Sequence, residues 1–283
     1  MTNNSVAVDG WVAYNGIDLP EDELGNVWVL QNLEGWYGGV DIRSGAVARP
    51  TADGDFDGTS TRAGRKVEVS GTLIARDPAM LRRGMDRIAR VLSGSARRGP
   101  LIVDEKDISL TRTSDVRLDG PTMVKQVSRR TAEFSLSLYS PDPSRYSLDV
   151  GQVSLTPGVS GAGHAYNLAF PRKYGALGST GRGLLENAGD ARTYPVATFT
   201  GPVNTPSISD EFGTLTLNMT LLAGEKVIVD CAQRTVLYGG ASRRHLLSSN
   251  SSWLVLDSGP NVLVFTSSSG NGTALIEWQS AWS

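Results

Sequence analysis

Leu138-Tyr139-Ser140-Pro141-Asp142-Pro143-Ser144-Arg145-Tyr146 divides this chain. It closes the run from Thr131 to Tyr139, in which Phe134, Leu136 and Leu138 alternate with Glu133, Ser135 and Ser137. That is the period-two pattern of a half-buried strand. Pro141 and Pro143 end it, because proline offers no ladder donor and restricts the residue before it. Upstream, strands mix with one helix; downstream come strands and turns with little charge. The expectation is a mainly β protein of two domains, residues 1–147 and 148–283, with Ser140 to Ser147 as an exposed extended connector.

Composition narrows the function classes. The chain has 283 residues and a formal charge of −2. Residues 1–150 hold 19 Lys+Arg against 21 Asp+Glu, and the remainder 8 against 8, so neither half is a basic nucleic-acid module. Cys231 is the single cysteine, which rules out an internal disulfide framework and suits a reducing cytoplasm. Met1 to Gly10 shows no secretory pattern, and no run approaches the ~18 apolar residues of a membrane span.

In the first half, Trp11 to Tyr14 and Ile17 to Leu19 read as a hairpin turning at Asn15-Gly16. Val27 to Leu30 and Val67 to Ile74 read as strands, and Ser44 to Gly64 as a long loop. Asp77-Pro78 starts the one helix, with Asp77 capping and Pro78 at the first helical position. Leu81, Met85, Ile88 and Leu92 form its apolar stripe, Arg82, Arg83, Arg87 and Arg90 lie on other faces, and Gly94 is the expected stop. Leu101 to Val103, Asp107 to Arg112, Asp115 to Leu118 and Met123 to Phe134 are further strand-like runs.

In the second half, residues 147–190 are turn-rich, with Leu168 to Pro171 as a core anchor. Seven short strands follow: Pro195 to Thr200, Thr214 to Leu221, Lys226 to Cys231, Thr235 to Tyr238, Ser252 to Leu256, Asn261 to Thr266 and Thr273 to Trp278. Their spacing, with no helical window, points to a β-sandwich.

The chemistry-bearing candidates are few. Asp53-x-Asp55-x-Asp57-Gly58 opens like a calcium loop, but the twelfth position, which must supply a bidentate glutamate, is Gly64. An acidic surface loop is the favoured reading. His164 and His245 have no ligand or triad partner nearby and read as surface residues; Cys231 reads as a buried inert thiol. Tryptophans 11, 28, 36, 253, 278 and 282 read mostly as core. The arginine face of the helix reads as solvated or subunit-facing. No catalytic, cofactor-binding or metal-binding residues are assigned, no cofactor is expected, and the chain reads as non-enzymatic.

The order of segments carries a resemblance. Leu33-Glu34-Gly35-Trp36, an arginine-bearing loop (Arg43, Arg49), the 53–58 loop, the strand with internal Gly71, the Asp-Pro helix and Tyr139 to Tyr146 together resemble the N-terminal domain of siphophage distal tail proteins. In the second half, Glu186 to Pro195, Thr200-Gly201-Pro202, Ala223-Gly224-Glu225, Arg234-Thr235-Val236 and Ser258-Gly259-Pro260-Asn261 are similar to the C-terminal component of that family. The resemblance implies a structural virion protein: a homohexameric ring at the tip of a long non-contractile tail, leaving a channel through which DNA passes. It implies a galectin-like C-terminal sandwich and assembly in the host cytoplasm without membrane insertion. Its implied partners are further copies of itself, the tail tube protein and the tip or baseplate hub, with tape-measure and receptor-binding proteins left open. Pro260 tightens a loop that a sugar-binding domain would use. The rival reading is a carbohydrate-binding adhesin that contacts the host envelope directly, which a glycan array would separate; a cell-wall hydrolase would clear a zymogram.

Overall fold

The computed structural model describes residues 4–94, 97–106, 110–158 and 180–283. The chain forms two units, one running to Leu148 and the other from Asp149 to Trp282.

The first unit opens with β1 (Asn4–Val8) and β2 (Trp11–Asn15), paired antiparallel. Their turn is Asp9-Gly10, with φ of 49° and 77°, the two left-handed positions that a type I′ turn demands. The hairpin expected at Asn15-Gly16 is therefore one strand too late, and Ile17 is left 62% exposed outside any strand. β2 instead runs parallel beside β3 (Asn26–Glu34) at Tyr14 and Val29. β4 (Arg65–Ala75) pairs with β3, α1 (Pro78–Arg90) follows, and β5 (Gly99–Glu105) returns beside β1. β6 (Leu110–Leu118), β7 (Met123–Gln126), β8 (Thr131–Ser140) and β9 (Arg145–Ser147) complete the unit. The run from Met123 to Phe134 is thus a hairpin and not one strand, and Asp107 lies outside the described residues.

The strand order β8-β4-β3-β2-β1-β5-β6 closes on itself, because β6 also pairs with β8. That seam is only two residue pairs long, Arg117 with Tyr139 and Leu118 with Leu138. β7 occupies the rest of the same side of β8, from Ala132 to Ser135. Alternate residues fill the interior: β8 buries Ala132, Phe134, Leu136 and Leu138, and β4 buries Val67, Val69 and Leu73. Trp11, Trp28 and Phe134 meet edge-on, with ring centroids 5.2–5.6 Å apart, each pair contributing about 0.5–1.5 kcal/mol beyond burial itself.

α1 begins as its sequence dictates. Asp77 Oδ1 accepts from the amides of Ala79 (2.8 Å) and Met80 (2.9 Å), and Pro78 needs no donor. Leu81, Gly84 and Ile88 are buried. A side chain at Gly84 would meet Leu73 Cδ2 at 2.7 Å, so the glycine lets the helix lie directly on β4. The helix ends at Arg90, earlier than Gly94, and it is Leu92 that takes the left-handed φ of 49° while its side chain is buried. A left-handed leucine costs about 1–2 kcal/mol, and burying it returns a similar or larger amount.

Residues 140–147 are not an exposed connector. Ser140 is fully buried, its Oγ receiving a hydrogen bond from Ser114 Oγ (2.8 Å) and donating to the Asp142 carbonyl (2.8 Å). Arg145 is also buried, and β9 pairs with β6. The prolines end β8, but the chain folds straight back onto the same sheet.

The second unit is built on two main antiparallel sheets, with a small third one that joins Val203–Asn204 to Thr220–Leu221 and Ser269–Gly270. β10 (Gly151–Leu155), β12 (Val196–Thr200), β15 (Lys226–Asp230), β16 (Thr235–Tyr238) and β18 (Thr273–Trp278) are ordered β10-β18-β12-β15-β16. β11 (Arg182–Asn187), β13 (Ser207–Ser209), β14 (Thr214–Thr216) and β17 (Gly259–Thr266) are ordered β11-β17-β13-β14. Their inward residues, among them Phe199, Val227, Ile276, Leu185, Ile208 and Phe265, share one apolar cluster, as in a sandwich. Two departures stand out. Ser252 to Leu256 is not a strand, because Val255 donates to Asp210 Oδ2 (2.9 Å) and the backbone pairing of Leu256 is a single isolated bridge to Thr193. β10 and β11 lie where only turns are expected. Leu168 to Pro171 falls outside the described residues.

Candidate functional site

The expected loop from Ser44 to Gly64 is an arm. Ile42–Arg43 pairs with Thr61–Arg62, and Val47–Ala48 pairs with Asp55–Phe56. Every residue from Asp41 to Asp57 is exposed. Ile42 (71%), Val47 (65%) and Phe56 (58%) are open to solvent. Between the two rungs the strands meet as bare backbone: a side-chain carbon at Gly58 would lie 2.2 Å from the Gly45 carbonyl oxygen, and one at Gly45 would lie 2.6 Å from that of Thr59. From first rung to tip the arm extends about 25–30 Å at the rise of a strand. A two-stranded ribbon is marginal on its own in water, so an arm with these apolar residues calls for a partner surface.

The base of the arm is held by buried charge. Arg65, at the start of β4, is fully buried. Its Nε donates to the Pro143 carbonyl (2.9 Å), and its Nη1 to the carbonyls of Gly35 (2.8 Å), Trp36 (3.0 Å) and Gly38 (2.7 Å). One guanidinium thereby ties the turn leading into the arm to the loop after β8. Burial, with Arg145, Arg62 and Arg112 nearby, pulls it down to about 10, so it stays charged at neutral pH. Arg145 Nη1 also donates to the Trp36 carbonyl (2.9 Å), and its guanidinium lies 5.8 Å from the Trp36 ring centre. Beside them Arg112 makes a two-pronged ion pair with Glu105, both side chains 9% exposed. Sequence patterning does not single out Arg65 or Arg145, because an arginine opening a strand looks the same whether it faces water or carbonyls.

The arginine face of α1 borders a groove of about 540 Å³ with Trp11, Leu24 and Val91 in its lining. Arg87 is committed within the unit: Nη1 approaches Asp22 Oδ2 at 3.3 Å and Nη2 donates to the Gly10 carbonyl at 3.0 Å. Asp22 also accepts from the amides of Leu24 and Asn26 (both 2.9 Å) and from Trp28 Nε1 (2.8 Å). Burial pushes its carboxyl up, but the bonds from Trp28, Asn26 and Leu24 and the charge of Arg87 outweigh it and hold the group below its ordinary 3.8. Arg97 pairs with Asp9 at 2.8 Å. Arg82, Arg83 and Arg90 have no ion pair or side-chain hydrogen bond among the described residues.

The other candidates disperse. Asp53, Asp55 and Asp57 sit at the arm tip, with Asp55 in a strand rung. Among the described residues no group of three or more His, Cys, Asp or Glu is placed to hold a metal. His245 is exposed on a short 3-10 turn, and His164 lies outside the described residues. Cys231 is buried, which pushes its thiol up to about 12. Trp11, Trp28 and Trp36 are core, whereas Trp253, Trp278 and Trp282 are half-buried. In the second unit Arg192 pairs with Asp257 (2.6 Å) and lies 5.1 Å from the ring centre of Phe212, an exposed cluster that sequence motifs do not reveal. No described helix is long and apolar enough to cross a membrane.

Residues 188–282 match the family model of the siphovirus-type tail component, C-terminal domain. Among solved structures, the fold is similar to the Dit protein (gp 19.1) of phage SPP1, described as a paradigm of the hub adsorption apparatus in phages infecting Gram-positive bacteria. The TM-score is 0.66 at 16% identity, over 97% of this chain and 98% of that one. A chain of the phage P2 baseplate in its activated, calcium-bound conformation aligns at a TM-score of 0.46 and 9% identity, over 97% of each chain. No curated protein matches the sequence.

Proposed function

We propose that this chain, whose second unit carries the siphovirus-type tail component domain, is the distal tail hub of a siphophage. In this role it is a structural virion protein at the tail tip, part of the adsorption apparatus, and not an enzyme. The carrying observation is the shared fold along the whole length: 97% of the chain follows SPP1 Dit, while the family model falls within the second unit. A resemblance limited to one sandwich would say little about role, because sandwiches serve many functions. Here both units and their order are matched.

The hub works as a closed ring, six-fold in this proposal, with the first unit lining the ring and the galectin-like second unit carrying adhesion components. Its partners are the tail tube protein on one side and the tip or baseplate hub on the other, and DNA only passes through. Closed cyclic assembly needs a heterologous interface in which one patch meets a different patch on the neighbour. The exposed arm and the open edge of β7 supply surfaces of that kind. Native mass spectrometry of the full-length protein at micromolar concentration and low salt tests the reading: a closed cyclic oligomer is expected, and a stable two-fold dimer overturns it.

A further inference from the structure

Two surfaces of the first unit are left over by every contact within it, and they are opposite in charge. The segment 78–98 carries six arginines against one acid, Asp86. Arg87 and Arg97 are paired internally with Asp22 and Asp9, and Arg98 is only loosely matched to Asp115 at 3.9 Å. Arg82, Arg83 and Arg90 remain exposed on the helix, and of these Arg83 and Arg90 line the groove, beside Asp86 and Glu23. The arm tip is the counterpart. Asp53, Asp55 and Asp57 are exposed and take no part in an ion pair or side-chain hydrogen bond among the described residues. Asp55 and Asp57 are two apart and so share a face of the extended chain. On the opposite face Phe56 is occupied by Arg49, whose guanidinium lies 5.2 Å from the ring centre.

We propose that the tip of the arm, through Asp53, Asp55 and Asp57, docks in the arginine-lined groove beside α1 of a neighbouring copy of this chain. The proposal rests on the ring reading above and deepens it by naming the two patches that meet. The occupant is a second copy because the same chain supplies both halves of a complementary pair. A heterologous ring interface requires such a pair, and a symmetric dimer does not. Complementary charge fixes orientation and speeds encounter. It also makes assembly weaken as salt rises, since the pairs form at the rim of a groove that solvent reaches.

The test uses two full-length variants that reverse one patch each. Arg83→Glu with Arg90→Glu makes both tip and groove acidic; Asp55→Arg with Asp57→Arg makes both basic. The substituted positions are outside the core, and circular dichroism and melting confirm that each variant is folded. Each alone is expected to lose the ring in native mass spectrometry, and an equimolar mixture is expected to restore it as an alternating assembly. A second arm pairs Asp55→Cys with Arg83→Cys. Buried Cys231 does not compete, so oxidation is expected to give a ladder of linked subunits on a non-reducing gel.

Rings that persist in both single-patch variants, or folded variants that fail to assemble when mixed, overturn the docking. So does a cross-link confined to one chain, which would place the tip on its own helix. Retention of duplex DNA by the wild type, lost in Arg83→Glu with Arg90→Glu and without restoration on mixing, would assign the groove to nucleic acid instead. A wild-type ring unaffected by these changes sinks only the docking. A wild type that yields only an isologous dimer sinks the ring reading as well.

Discussion

Arg65 and Asp22 are the single residues with the most to lose. Arg65 satisfies four carbonyls from two separate loops, and each buried carbonyl stripped of its donor costs about 1–3 kcal/mol. Arg65→Met is therefore expected to lower stability by at least about 3 kcal/mol, read from denaturant midpoints, and to loosen the arm base first in hydrogen exchange. Asp22 gives a pH signature. Its folded-state value lies below the ordinary 3.8, so the unfolded chain takes up the proton first. The stabilisation is complete above the unfolded value and is lost as pH falls through the folded one. Melting temperature is expected to drop on acidification below about pH 4. Asp22→Asn should flatten that acid limb and cost about 1–3 kcal/mol at neutral pH. An unchanged acid limb in the variant would show that Asp22 is not the titrating group.

At the scale of elements the arm is separable from the barrel, because none of Asp41 to Asp57 is buried. Replacing residues 41–62 by a short Gly-Ser link should leave a cooperatively melting protein of nearly unchanged stability that no longer forms rings. A large loss of stability would mean that the arm props up its own barrel. Elements with a strong local signal were legible from sequence: α1 by Asp77-Pro78 and its stripe, β8 by its alternation, and β12, β15, β16 and β18 by apolar runs between glycine turns. What escaped depends on pairing at a distance. Asp9-Gly10 and Asn15-Gly16 are equivalent turn signals, and only β1 finding β5 on its other side makes the first the true hairpin. Arm rungs two residues long are too short for any periodicity to register. The charged residues of the candidate surface were legible as motifs, Asp53-x-Asp55-x-Asp57 and the helix arginines. Which of them are already paired, as Arg87 is, depends on the tertiary placement of Asp22 and Gly10.

At the scale of the whole molecule, each unit has an apolar cluster of its own, one around Trp11, Trp28 and Phe134 and one around Phe199 and Phe265. Residues 148–283 expressed alone are expected to give a soluble β protein with a single sharp melt; an aggregated or molten product would argue for a shared core. In the ring proposed above, closure adds a requirement that no single subunit reveals. Small angular errors at each joint add up around a circle, and the last contact must absorb their sum. In that ring the crossing of Gly45 and Gly58, where only backbone meets backbone, is the place for it. Gly58→Ala, whose methyl group would meet the Gly45 carbonyl oxygen at 2.2 Å, should force the two strands of the arm apart there, leave the buried core unchanged and trade closed rings for open arcs, visible as a spread of subunit numbers in native mass spectrometry.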